Sequence, residues 1–527
     1  MSSSGPVLRR TPQSVTHAVR ECLLCGSEQL EYEFVVDKVP VCRCQDCGLL
    51  FLNPAPASNI SSDTPSVDPL NSEVLSSLYR ANAAERLSEL IAYTGTSRGR
   101  LLLIGTDEHA RKEAQAAGFE VVVSTVSHLD EDKLTPAQPY DACLLFCALE
   151  RTRNPLAALK RIRQLLRPGA TLMVISPTID TAAARLFKHE WWEFNRSNLF
   201  YFSVDTLQNL LVRAGFVDPL INPDRTLVSL NYVRQRLASA HRQPRRLRLL
   251  RTASALTPFF RNRRFRNLHS RTRFLVRAAE PPQSQRVSVI VPVYNEKATC
   301  AELLNQLLAK NIPGVDIEVI IVESNSADGS REIVLQYQDH PRVKLILEPK
   351  PMGKGHAVRT GLNAATGDII LFQDADLEYD LNDYEGLLEP LLHFRHNFIL
   401  GSRHTSTNSS WKIRSFEGAP GLSGIFNFGH LLFLTMFNTL YGQKLTDPFT
   451  MFKVFRRECL YGLRFECNRF DFDYEIVIKL LRKGYVPKEL PVNYTSRSLA
   501  EGKKVTMFRD PITWIRAMLK FKRSPLY

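Results

Sequence analysis

A chain of 527 residues is longer than one hydrophobic core supports, so two large domains and a smaller one are expected. With 44% hydrophobic and 23% charged residues the composition is that of a globular protein, which excludes a disordered chain; no run reaches the roughly 18 to 20 apolar residues of a spanning helix. The formal net charge of +14 calls for an anionic partner: a nucleotide sugar, a lipid phosphate, an anionic membrane surface or a nucleic acid.

The first twenty residues are polar and lack the apolar centre of a signal peptide, so a cytoplasmic protein is expected, with any membrane contact peripheral and at the inner face of the cell membrane. Five of the ten cysteines fall between Cys22 and Cys47, which favours metal ligation over a disulfide framework. Cys22-Leu-Leu-Cys25-Gly26 and Cys44-Gln-Asp-Cys47-Gly48 are two Cys-x-x-Cys turns 18 residues apart. That spacing marks a four-thiolate zinc ribbon within residues 1–53, whose closed sulfur shell makes the ion structural. Cys42 is a spare thiol, or a substitute for Cys44.

A Pro/Ser/Asp-rich linker, 54–71, leads into a middle domain over 72–279. A helix from Ser72 to Tyr93 precedes four strand-like runs: Gly99–Gly105, Glu120–Val123, Tyr140–Phe146 and Gly169–Pro177. Strands alternating with helices predict a doubly wound sheet. With Leu149-Glu150, Asn154-Pro155-Leu156, Leu166-Arg-Pro168-Gly169, Trp191-Trp192 and Leu199-Phe-Tyr201-Phe202-Ser203, this region resembles class I S-adenosylmethionine-dependent methyltransferases that carry an amino-terminal zinc ribbon. Its cofactor loop departs from the pattern. Such a loop needs several glycines and an acid ending the second strand, whereas Ile104-Gly105-Thr-Asp107 keeps one glycine and Val121-Val-Val-Ser124 has no acid. S-adenosylmethionine is therefore not expected to bind, and the domain reads as a degenerate scaffold. An insertion over 234–271 is basic; fourteen arginines and no acid lie between Arg234 and Arg277, interleaved with leucine and phenylalanine. It suits an anionic membrane surface, or a solvated helix, better than nucleic acid, since no nucleic-acid motif accompanies it. Thr272–Val276 reads as the closing strand, and 280–285 as a hinge.

From 286 to 527 a second doubly wound sheet is predicted. Arg286-Val-Ser-Val-Ile-Val-Pro292-Val-Tyr294-Asn295-Glu296 is a buried strand ending in a polar elbow, and Ile317 to Glu323 repeats the design. Gly353-Lys354-Gly355-His-Ala-Val-Arg359 is a basic, glycine-punctuated turn opening a helix. Ile369-Ile-Leu-Phe372 then delivers Asp374, Asp376 and Glu378. Alternation along an extended chain points these acids to one side, as ligands for Mg²⁺ or Mn²⁺; the plainer alternative is a solvated acidic turn.

Over Arg286 to Phe521 the four segments resemble the family 2 glycosyltransferases of GT-A fold, most closely the polyprenyl-phosphate sugar transferases. The resemblance implies a nucleotide-sugar site at Pro292, Tyr294, Glu296, Glu323, Lys354, Arg359 and Asp374. It also implies a metal held by Asp374, Asp376 and Glu378, and an acceptor phosphate on Arg403 and Arg414 beneath a closing loop with Lys503 and Lys504. An acceptor that is already an anionic phosphate needs no general base; a sugar hydroxyl would need Asp447, Asp473 or Glu475. The expectation is a metal-dependent transferase moving sugar from a UDP- or GDP-sugar to a polyprenyl phosphate or related surface-glycan acceptor. The rivals are an enzyme that also methylates and a non-enzymatic scaffold of a glycan assembly complex. Sugar, base and oligomeric state are not written in the sequence.

Overall fold

The computed structural model describes residues 18–56, 73–105, 107–130, 138–229, 264–266, 271–279, 285–404, 420–495 and 509–526. The chain divides into two compact units, Met1–Ser203 with Pro223–Arg273, and Val204–Asn222 with Phe274–Tyr527.

In the first unit, β1 (Leu30–Val36), β2 (Val39–Cys44) and β3 (Leu50–Leu52) form an antiparallel sheet with the cysteine turns at its end. Both turns close through a glycine with positive φ, Gly26 at +74° and Gly48 at +78°, a conformation that costs a glycine nothing. After helix α1 (Glu73–Thr94) come β4 (Gly99–Ile104), α2 (Glu108–Ala117), β5 (Phe119–Ser124), β6 (Tyr140–Phe146), α3 (Pro155–Leu165) and β7 (Leu166–Pro177). The strands pair in parallel in the order β5-β4-β6-β7. Leu101–Ile104 and Ala142–Leu145 are buried throughout, as strands covered on both faces must be. Ile104 pairs with Ser124 and Leu145, and Phe146 with Ile175, so the strands end along one edge. A short β8 (Phe200–Tyr201) extends the ribbon sheet beside β3. Two further strands, β9 (Leu227–Ser229) and β10 (Arg264–Arg266), pair antiparallel and bring together the two ends of the arginine-rich insertion; 230–263 lies outside the described residues.

The second unit begins with α4 (Val204–Arg213), which the sequence assigns to the middle domain. Its polar face explains its place: Asp205 accepts from Asn397 Nδ2 at 2.6 Å, and buried Gln208 accepts from the Tyr485 hydroxyl. The unit continues with β11 (Gln285–Val293), α5 (Cys300–Ala309), β12 (Val315–Glu323), α6 (Ser330–Leu335), β13 (Val343–Leu347), α7 (Lys354–Ala364), β14 (Ile369–Phe372), α8 (Tyr384–Leu392) and β15 (Phe398–Ser402). It ends with α9 (Pro420–Tyr441), β16 (Lys453–Arg456), α10 (Phe472–Lys483), β17 (Lys488–Pro491) and α11 (Arg509–Arg523). The seven strands run β13-β12-β11-β14-β16-β15-β17, with β16 antiparallel to both neighbours. β11 pairs in parallel with β12 and β14, so Val293, Glu323 and Phe372 leave the sheet at one edge. Helix α7 lies tight on its surroundings through small residues; a Cβ on Gly355 would stand 2.6 Å from Phe472 Cβ. Among the described residues no helix is long and apolar enough to cross a membrane.

Candidate active site

In the ribbon, the sulfurs of Cys22, Cys25, Cys44 and Cys47 all lie within 4.8 Å of one another. Cys22 faces Cys47 and Cys25 faces Cys44, each at 3.5 Å. Four thiolates at tetrahedral-edge spacing fit a zinc ion with no position left for substrate. Cys42 stands apart, buried beside Asn53 Nδ2 at 3.9 Å, and is not a fifth member.

Open α/β sheets receive ligands beyond the carboxyl ends of their strands. In the middle sheet that ground carries a guanidinium. Arg86 of α1 is buried, bonded through Nη2 to Asp224 at 2.8 Å, with Nη1 3.6 Å from Asp107 and the guanidinium carbon 4.7 Å from the centre of the Phe146 ring. Asp107 also caps α2 by accepting from Ala110 N. Gly105, at φ +112°, serves strand packing, since a Cβ there would meet the Phe146 carbonyl at 2.6 Å. Ser124 ends β5 and pairs with His128. No acid ends β5, and the Arg86 guanidinium lies between Asp107, after β4, and the Phe146 ring at the end of β6. Nearby, burial pushes the Glu150 carboxyl up to about 7, with Ser176 Oγ donating to it at 3.1 Å.

In the second unit the elbow after β11 is built from backbone. Asn295 takes φ +51°; its N–H donates to Ser326 Oγ at 2.9 Å and its side chain accepts from Ala327 N, while Glu296 N donates to Ser330 Oγ at 2.8 Å. Pro292 lies within β11, and Tyr294 is exposed at the strand's exit. Thr299 Oγ1 donates to the Ala375 carbonyl at 3.0 Å and so ties the elbow to the acidic turn. Asp374 and Asp376 thus stand beside this elbow, as the sequence suggests. Lys354 places its ammonium 2.7 and 2.9 Å from the two oxygens of Asp374. Burial works against that charge, but Asp374, with Asp473 behind it, outweighs burial and holds Lys354 above the ordinary lysine range.

Several expected donor-site residues face elsewhere. Glu323 is wholly buried and turned inward, accepting from Arg331 Nε at 2.5 Å and Ser326 N at 2.6 Å; its extra methylene reaches that arginine rather than the ligand edge. Arg359 donates to the Phe465 carbonyl at 2.7 Å and to Asn468, clamping the loop before α10. Glu378 accepts from the Tyr494 hydroxyl at 2.9 Å. Residues 375–378 bend, so the alternation expected to bring Glu378 alongside the two aspartates is lost. Among the described residues only the cysteines form a group of three or more metal-type ligands within 4.8 Å. Asp374 and Asp376 nevertheless suit a divalent ion in their chemistry, and the Lys354 ammonium shows that a cation is held there.

On the acceptor side Arg403 leaves β15 into a fork on Asp447, with Nε 2.7 Å and Nη2 2.8 Å from the carboxylate and its own N–H at 3.1 Å. Its guanidinium carbon lies 5.2 Å from the Tyr494 ring centre. Burial alone would raise the Asp447 carboxyl; Arg403 outweighs it and brings it down to about 2. Asp473 pairs with the buried Lys453 ammonium at 2.7 Å. Glu475, fully buried, takes Lys479 at 2.5 Å and the amides of Glu466 and Cys467. Arg414, Lys503 and Lys504 lie outside the described residues. Sequence reading passed over Lys453, Glu489 and Thr299. Glu489 takes the amides of Thr446 and Asp447 and fixes the turn that aims Asp447. The lysine's signal was there, a lone charge inside the apolar run Met451-Phe-Lys-Val-Phe455.

A mostly parallel sheet with an antiparallel β16 inserted thus sends two aspartates out of its central strand beside a backbone elbow. Residues 288–463 match the family described as glycosyl transferase family 2, and residues 79–218 match one described as methyltransferase domain. The chain carries a family 2 glycosyltransferase domain together with a methyltransferase-like one. A dolichyl-phosphate beta-glucosyltransferase of Trichomonas vaginalis is 26% identical over 46% of this chain and 73% of its own length. A dolichol-phosphate mannosyltransferase of Pyrococcus furiosus is 27% identical over 41% of this chain, a match spanning only 59% of that relative. Glucosyl-3-phosphoglycerate synthase from Mycobacterium tuberculosis, crystallised with Mn²⁺ and uridine diphosphate, shares 19% identity over 46% of this chain and 81% of that one, with a TM-score of 0.34, too slight a likeness to argue from.

Proposed function

We propose that the second unit transfers a sugar from a UDP- or GDP-sugar to a polyprenyl phosphate or a related anionic glycan acceptor. The observation that carries the choice of acceptor is the fate of the three candidate bases. Asp447 is forked by Arg403, Asp473 holds Lys453, and Glu475 holds Lys479. A carboxylate brought down to about 2 is a poor proton acceptor, so the nucleophile should arrive already ionised. A phosphate does, and Arg403, whose Nε and Nη2 are held on Asp447, would meet it through Nη1. A divalent ion at Asp374 and Asp376 would neutralise the diphosphate as it leaves. Lys354 stands beside them to take up part of the same charge, and the elbow from Tyr294 to Glu296 receives the nucleoside. The relatives' names, two polyprenyl-phosphate sugar transferases, agree with this acceptor class.

The acceptor's lipid would be met at an anionic membrane surface, on the cytoplasmic side. Phe428, Leu431 and Leu432 of α9 and Ile512, Ile515 and Leu519 of α11 are exposed, and α11 adds exposed Arg516, Lys522 and Arg523. The two helices pack through Phe433 and Trp514, ring centres 5.3 Å apart. Apolar residues with a basic rim suit an interfacial position. The test is incubation with a panel of nucleotide sugars, Mg²⁺ or Mn²⁺ and polyprenyl phosphate, with the product read by mass.

A further inference from the structure

The donor edge already contains a cation of its own. Asp374, Asp473 and Asp376 all act on the Lys354 ammonium, and Asp473 acts also on Lys453. Lys453 is fully buried and committed to Asp473 and the Thr450 carbonyl. Lys354 covers both oxygens of Asp374, the residue a metal would need first. Its backbone is closely packed: Gly353, at φ +104°, leaves no room for a Cβ beside Asn468 O, and Gly355 leaves none beside Phe472. Only the side chain can turn, and the group it would turn toward is an anion.

We propose that the Lys354 ammonium is the resident counter-cation of this site, holding Asp374 until a nucleoside diphosphate arrives, so that divalent metal enters with the diphosphate and not ahead of it. This rests on the glycosyltransferase reading of the same edge. A dication entering alone on Asp374 would stand beside an ammonium about 4 Å or less away, a repulsion that the partly buried setting enlarges. A diphosphate supplies the missing negative charge and gives the ammonium a new partner. Lys354 is thereby a positioning residue that orders the binding steps.

The experiment is Mn²⁺ titration of the full, zinc-replete chain, read by electron paramagnetic resonance, with and without saturating UDP or GDP. In the wild type, Mn²⁺ should bind at least tenfold more tightly with the nucleoside diphosphate than alone. Lys354→Met should tighten binding of Mn²⁺ alone at least tenfold, and Lys354→Arg should keep the wild-type behaviour; Lys354→Gln replaces the methionine variant if that one does not fold. The proposal is overturned if the folded neutral variant binds Mn²⁺ alone within twofold of the wild type while Asp376→Asn still removes the nucleotide-assisted binding. Should neither nucleotide produce Mn²⁺ binding that depends on Asp376, the transferase reading itself fails, and this proposal with it.

Discussion

Replacing Asp447 by asparagine removes the charge under Arg403 while keeping the side chain's shape. The carboxylate is fully buried and accepts three hydrogen bonds from Arg403, at 2.7, 2.8 and 3.1 Å. Its pKa falls from the ordinary 3.8 to about 2, which corresponds to about 2 kcal/mol of stability at neutral pH. Leaving Arg403 buried and unpaired adds to that, so a loss of about 3 kcal/mol is expected. The sign in pH follows from the direction of the shift. A carboxyl depressed in the folded state stabilises above its unfolded pKa, and this contribution fades as pH falls from about 4 toward 2; about half has gone by pH 3. Urea titrations at pH 7 and pH 3, read by hydrogen-exchange mass spectrometry on peptides from β15 and β16, measure the effect locally. The wild type should exceed Asp447→Asn by about 3 kcal/mol at pH 7, and by clearly less at pH 3. Equal stability at pH 7 would show that the ion pair contributes nothing, and the rigid presentation of Arg403 would have to be given up.

Glu150 should show the opposite pH dependence. Its folded pKa of about 7 lies above the ordinary 4.5, so the folded state holds the proton more tightly and stability falls as pH rises through that window, by about 3 kcal/mol in total. Glu150→Gln should therefore raise the melting temperature of the first unit at pH 8 and leave it nearly unchanged at pH 5; a lower value at pH 8 contradicts the assignment. Cys25→Ser should lower zinc content, read by a colorimetric chelator, and expose the amides of β1 to β3 to exchange, while retained stoichiometric zinc would remove Cys25 from the ligand set. Equilibrium dialysis should find no saturable binding of S-adenosylmethionine, because Arg86 spans the strand ends; micromolar binding would refute that reading.

Much of this was legible in the sequence because the signals were local. A four-residue apolar run at Ile369–Phe372 reads as a covered strand, and the acids after it then leave at the sheet's edge. Two Cys-x-x-Cys turns specify a quartet without any tertiary knowledge. What was not legible depended on reach. Glu323 lies at the expected strand end, yet its length and the position of Arg331 eight residues later decide that it points inward. Arg359 and Glu475 carry plausible charges, but whether a charge meets ligand or holds a loop depends on the segment 465–468, remote from Arg359 in sequence. Helix α4 falls inside the middle domain as read from the sequence, and contacts far along the chain, Asn397 and Tyr485 among them, claim it for the second unit.

The most direct measurement is sugar transfer by the wild type and by Asp376→Ala, each supplied with Mg²⁺, the nucleotide-sugar panel and polyprenyl phosphate, with circular dichroism to verify folding. The wild type should yield a product heavier than the polyprenyl phosphate by one sugar residue, and the folded variant none. Undiminished turnover by Asp376→Ala would place the chemistry somewhere other than the acidic turn after β14.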